Sequence, residues 1–165
     1  MVLTLICRQL YHLGLGFAKK PTFVKKKWIV STFRALPLDL DMFMHINNTA
    51  YPRIAELASW ELMAAIRFNR MYATHGFLGL VITQQQVTYK KPISPFQLYE
   101  VHTNIQYADN KWLDYTHHFV QHHKDVPPGN EPIHYATVTK RGVVKTLKGR
   151  TIKVDEFINY LKCFE

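Results

Sequence analysis

The sequence predicts an α+β domain in which one long helix lies against a meandering antiparallel sheet, and three observations carry that prediction. Only one segment of the body, residues 48 to about 71, holds a long apolar stripe at helical spacing. Everything after Gly76 consists of β-branched and aromatic runs separated by turn signals. With 165 residues, 47% hydrophobic and 13% aromatic, the chain has the material for a single core, which excludes a mainly disordered state.

Residues 1–27 read as an N-terminal helical extension outside that body. Leu3, Ile6, Leu10, Leu13 and Phe17 recur at steps of three and four, with Arg8, His12, Lys19 and Lys20 off the stripe. An apolar stripe with bases and no acids fits a mitochondrial targeting segment, a helix packed on its own domain or a partner, or a membrane-surface helix. The apolar start is broken by Arg8 and Gln9, so a spanning segment is not expected.

The body, residues 28–165, begins with a strand over 28–36, where Trp28, Ile29, Val30, Thr32 and Phe33 favour extended backbone. Residues 37–47 form a loop. The long helix follows, with Tyr51, Ile54, Ala55, Ala58, Leu62, Ala65 and Ile66 on one stripe, Asn47 or Asn48 to cap its start and Pro52 in the first turn. A long strand is expected over 77–91, ended by Pro92 and Pro95. Tyr99, Val101, Thr103, Ile105 and Tyr107 then alternate with polar residues, Asp109-Asn110 turns the chain, and strands over 111–122 and 133–147 complete the sheet. A short helix over 154–164 closes the chain. A single-helix sheet leaves a face to cover, so dimerisation is expected.

The formal net charge of +9 is unevenly spread. The first 38 residues hold seven bases and no acid, residues 140–153 hold six bases and no acid, and the remainder is net acidic. Lys25 to Lys27 beside Trp28 have the charge and aromatic character of a nucleic-acid contact, but no nucleic-acid motif accompanies them, and that partner is not expected. Cys7 and Cys163 are the only cysteines, without metal or disulfide-framework spacing, which fits a reducing compartment. His117, His118, His122 and His123 resemble a metal cluster, yet successive strand residues point to opposite faces, so no metal site is expected.

Chemistry concentrates in LPLDLDMFMHINNTAY, residues 36–51, where carboxylates, an imidazole and two amides gather in a loop before a helix N-terminus. The free amides and positive dipole end there suit a polarised carbonyl or an oxyanion. Asp41 can serve as a general base or nucleophile, while Asp39, Asn47 and Asn48 can equally be capping and turn residues.

Asp41, His45, Asn47, Asn48 and Tyr51, followed by Glu56 and Trp60, resemble the motif D-x-x-G-H-V/M-N-N-x-x-Y plus a downstream acid. That motif belongs to hotdog-fold acyl-CoA thioesterases of the 4-hydroxybenzoyl-CoA thioesterase type, in the thioesterase superfamily. VTYKKPISPFQLYEVHTNI and YATVTKRGVVK resemble later strands of the same family, so the likeness spans roughly residues 28–150. Met44 replaces the glycine of many members, and Pro52 a leucine or phenylalanine.

The resemblance implies a hotdog fold, a long helix wrapped by a curved antiparallel sheet of about five strands, dimeric, with sites between protomers. It implies hydrolysis of an acyl-CoA or acyl-carrier thioester, coenzyme A entering as part of the substrate and no other cofactor being required. Asp41 would be the catalytic carboxylate, aided by His45, Asn48 and Glu56; Asn47, Tyr51, Lys140, Arg141 and Lys145 would bind substrate, the bases through its phosphates. Asp41 is expected near the amides of residues 47–49, and Asp39 to be dispensable by comparison. The basic extension supports an alternative, a non-catalytic hotdog subunit, homodimeric or heterodimeric, within a larger mitochondrial assembly.

Overall fold

The computed structural model describes residues 2–19 and 28–162. Its order is α1 (Val2–Ala18), β1 (Trp28–Arg34), a 3-10 turn (Pro37–Asp39), α2 (Ala50–Ala65), α3 (Phe68–His75), β2 (Phe77–Tyr89), β3 (Leu98–Tyr107), β4 (Leu113–Gln121), β5 (His134–Thr146) and α4 (Val154–Lys162). The five strands form one sheet in the order β1-β3-β4-β5-β2, with every neighbouring pair antiparallel. It curves around α2.

Alternation sets what faces the helix. Tyr99, Val101 and Ile105 of β3, Tyr115 and Phe119 of β4 and Val138 of β5 are buried against Ile54, Ala58 and Leu62 of α2. Small residues on α2 let the sheet approach closely, while aromatic rings fill the rest; Tyr51 packs edge-on to Phe119 with centroids 5.1 Å apart.

The expected helix over residues 48 to about 71 is two helices. Arg67 adopts a left-handed conformation at φ 59° and ends the run after Ala65. The break has a partner: the Arg67 guanidinium donates to the carbonyl of Phe17 at 2.8 Å and lies over the Phe17 ring, meeting the C-terminal end of α1.

The extension helix packs with its polar side inward. His12 is buried, stacked on Phe33 at 4.4 Å, and its Nδ1 lies 2.9 Å from Glu61 Oε2. Lys19 reaches the other oxygen of Glu61, and Arg8 reaches Asp39 at 2.8 Å. Gly16 sits at the crossing with α2, where a Cβ would collide with the Glu61 carbonyl and the Ala64 side chain. Ile6, Leu10 and Phe17, the expected packing stripe, are instead exposed. Two buried acids of the body, Asp39 and Glu61, dictate this orientation, because an ionised carboxylate inside a protein needs partners. Residues 20–27 and Cys163 lie outside the described residues; no helix among those described is long and apolar enough to cross a membrane.

Candidate functional site

The loop between β1 and α2 is built on Asp39. Its buried carboxylate accepts from Arg8 at 2.8 Å, from Arg53 of α2 at 3.2 Å and from the Leu36 amide at 3.3 Å, and its carbonyl accepts from the Asn47 amide. Leu40 and Ile46 bridge as a short ladder, which leaves residues 41–45 as a tight turn. Within it the Asp41 amide donates to the His45 carbonyl at 3.0 Å, the Met44 amide donates to the Asp41 carbonyl at 3.1 Å, and Met44 holds φ at 59°. A glycine takes that conformation without strain, which explains why the resembling motif carries one there.

Asp41 stands at the base of this turn. Its Oδ1 accepts from the amides of Phe43 at 2.9 Å and His45 at 3.4 Å, rather than from residues 47–49. Among the described residues no hydrogen bond engages Oδ2. The difference is local: Asn47 Oδ1 accepts from the amide and hydroxyl of Thr49 at 2.8 and 2.7 Å, a turn ahead of the helix, and the helix cap is Thr49, without a side-chain cap bond, rather than the expected Asn47 or Asn48. The Asn48 carbonyl accepts from the Tyr89 hydroxyl at 3.0 Å. Tyr51 lies below, its hydroxyl pushed up to about 12 by burial and by the neighbouring Tyr89 and the Asp41 charge. Asp41, His45, Asn47, Asn48 and Tyr51 are therefore one locality, and the turn tip carries Met42, Phe43 and Met44 exposed beside it.

Glu56 belongs to a second locality further along α2. Its half-exposed carboxylate accepts from Lys140 Nζ at 2.8 Å, and the Lys140 side chain is only 4% exposed. This pair borders a pocket of about 220 Å³ whose apolar walls include Trp60, Met63, Leu80 and Tyr115. Ser59 opens into it as well, and its hydroxyl lies 3.4 Å from Nε2 of His117. Burial drives the His117 imidazole well below its ordinary value, with the Lys140 and His118 charges adding to the effect.

The three bases expected to grip phosphates do not converge. Lys140 points toward the helix and Arg141, next along β5, to the opposite face, where it makes two 2.7 Å bonds to Asp114. That bidentate contact holds the Asp114 carboxyl below its usual range. Lys145 donates to the Gly149 carbonyl at 3.2 Å. Strand alternation separates neighbours that sequence proximity had grouped.

The histidines also part company. His117 lies in the core and His118 on the outer face, yet His122 and His123, past the end of β4, meet Glu100 of β3, with Oε1 of Glu100, a ring nitrogen of His122 and one of His123 all within 4.8 Å of one another. Alternation separates neighbouring side chains within β4 and no longer does so where the chain turns.

Glu61 is the residue the sequence did not single out, and Asp39, expected only to cap or turn, is fully buried. Burial raises the Glu61 carboxyl, but hydrogen bonds from His12 and Lys19 and the Lys19 charge outweigh it and leave the group below its ordinary value. The available signal was a set of bases in α1 at helical spacing, Arg8, His12 and Lys19, in a segment that holds no acid of its own to pair with them.

The sequence profile of the thioesterase-like superfamily matches residues 35–160. No match is found among curated proteins. Among solved structures, a 4-hydroxybenzoyl-CoA thioesterase from a Pseudomonas species is similar at TM-score 0.66 and 16% identity, covering 81% of this chain and 99% of that one. A probable thioesterase from Escherichia coli reaches TM-score 0.70 at 15% identity, covering 82% and 98%. A gentisyl-coenzyme A thioesterase matches at TM-score 0.63 and 16% identity, covering 79% and 99%.

Proposed function

This chain belongs to the thioesterase-like superfamily and has the hotdog fold, and from that premise we propose that it hydrolyses an acyl-CoA or related thioester with Asp41 as the catalytic carboxylate. The observation that carries the reading is the geometry of Asp41: one carboxylate oxygen is fixed by turn amides and, among the described residues, the other is uncommitted, in the loop that leads into the long helix. A group so held can take a proton from water while the water oxygen attacks the thioester carbon. The C–S bond then breaks and the thiolate leaves to be protonated. The carbonyl oxygen, gaining charge, would face the amides at the start of α2. His45 and Asn48 would orient substrate or water, and Asn47 and Tyr51 would keep the turn and its floor in place.

Glu56 stands six residues into α2 from Ala50, about 9 Å of helix rise, so Asp41 and the pocket beside Glu56 are distinct places on one protomer. A dimer would unite such places. β2 is an edge strand with residues 81–86 exposed along it, a ready pairing surface for a second copy or a hotdog partner. In that arrangement the apolar pocket receives the acyl group and Glu56 with Lys140 lies at its rim. Arg141 and Lys145 would act on the phosphates separately, each after leaving its present partner.

A thiol-release assay over aryl, short-chain and long-chain acyl-CoAs tests this, with Asp41→Ala run beside the native protein. Turnover that the substitution abolishes supports it; no turnover on any thioester favours the non-catalytic subunit of a larger mitochondrial assembly. The exposed Ile6, Leu10 and Phe17 of α1 are the observation on that second side.

A further inference from the structure

We infer that Glu100, His122 and His123 form a binding site for a zinc-class divalent ion, separate from the Asp41 turn. Glu100 is 5% exposed on the face of the sheet turned away from α2, an unusual place for a carboxylate unless it has work to do there. Three imidazoles surround it. His123 Nδ1 is bonded to Oε1, His122 Nε2 stands 3.9 Å from the same oxygen, and His102, two residues along the same strand face, holds Oε2 at 2.8 Å.

The donor atoms Oε1, Nε2 and Nδ1 lie within 4.8 Å of one another. Tetrahedral zinc with ligands near 2.0–2.2 Å requires donor separations of about 3.4 Å, so His122 Nε2, 3.9 Å from Oε1, must close slightly, while Oε1 and His123 Nδ1 must part and exchange their hydrogen bond for the ion. Two imidazoles and one carboxylate, with no thiolate, are borderline donors suited to zinc and its first-row neighbours rather than to calcium or magnesium.

The backbone explains how consecutive histidines reach one ion. They sit where the chain leaves β4 and enters a 3-10 turn (His123–Asp125), beyond strand alternation, and they offer different ring nitrogens. His122 Nδ1 now accepts from the Lys124 amide at 3.4 Å; coordination through Nε2 moves its proton to Nδ1 and gives up that long bond. His102 would orient the carboxylate from behind, the place where outer partners tune a metal site. His123, with its side chain 67% exposed, leaves an open side for the ion to enter and for water to complete the shell.

The test is titration of metal-free full-length protein with Zn²⁺ by calorimetry, and with Co²⁺ by visible absorption. One equivalent should bind, with a cobalt spectrum of low coordination number and a rise in melting temperature. His123→Ala, at an exposed position, should weaken Zn²⁺ binding at least 100-fold with the fold intact by circular dichroism. His102→Ala should weaken it by about 10- to 100-fold. His118→Ala, on the same sheet face but outside the cluster, should change nothing. Absence of one-to-one binding overturns the site, as does binding that survives His123→Ala or falls equally in His118→Ala. Because the readouts are affinity and spectrum, the outcome is independent of any thioesterase activity.

Discussion

Replacing His12 by alanine tests whether the extension helix is part of the folded body. Glu61 is 1% exposed, and His12 supplies the partner of its Oε2. Leaving a charged acceptor buried and unbonded costs about 2–3 kcal/mol, and the lost stacking on Phe33 adds about 0.5–1 kcal/mol. Lys19 still holds Oε1, which keeps the total near 3 kcal/mol, the lower end of the cost of breaking a buried ion pair. For a chain of this size that is a fall of about 6–12 °C in melting temperature. The assay is urea unfolding followed by circular dichroism, with the cycle His12→Ala, Glu61→Leu and the double variant. The double variant should be more stable than the sum of the singles by at least ~1 kcal/mol. The pH dependence has a definite sign. The Glu61 carboxyl lies below its ordinary value, so its contribution is fully present above the unfolded-state pKa and is lost as pH falls through the lower native one. The His12→Ala deficit should therefore shrink on acidification. A deficit under ~0.5 kcal/mol, or strict additivity in the cycle, would show that His12 does not hold Glu61 in the folded protein.

Asp39→Asn should destabilise by about 3 kcal/mol, since it strips the charge that Arg8 and Arg53 share in a buried site; urea unfolding checks this, and a change under about 0.5 kcal/mol would show that these contacts do not hold the fold. Gly16→Ala should lower the melting temperature by several degrees by forcing α1 away from α2, and should expose α1 to limited proteolysis. Glu56→Ala should cost about 1–2 kcal/mol by stranding the buried Lys140, whereas Lys140→Met should be near neutral in the same unfolding measurement.

The elements were legible where periodicity is governed by one neighbour. β3 shows this: Tyr99, Val101 and Ile105 alternate because one sheet face meets α2, and the same rule located the long helix. What escaped was set by contacts between segments far apart in sequence. The helix break at Arg67 has no glycine or proline to announce it and is met by the end of α1, about fifty residues earlier. α1 itself reads as amphipathic with a clear apolar stripe, but the electrostatic demand of Glu61 and Asp39 turns the other side inward. In the site, Asp41, His45, Asn48 and Tyr51 lie on one turn and helix start because they are near in sequence, while Lys140 and Arg141, also near in sequence, are parted by strand alternation. The approach of Glu100 to His122 and His123 depends on how β4 ends, which no local pattern encodes.

Asp41→Asn isolates the charge of the Asp41 carboxylate, because the amide keeps the shape and can still accept from Phe43 and His45. The measurement is steady-state thiol release on the best acyl-CoA of the panel for the native and substituted proteins. The substitution should lower kcat by about 10²–10⁴-fold and change KM by no more than about threefold, the pattern of an interaction made in the transition state. A kcat within about tenfold of native, or a loss confined to KM, would contradict a catalytic role for that charge and move the chemistry away from Asp41.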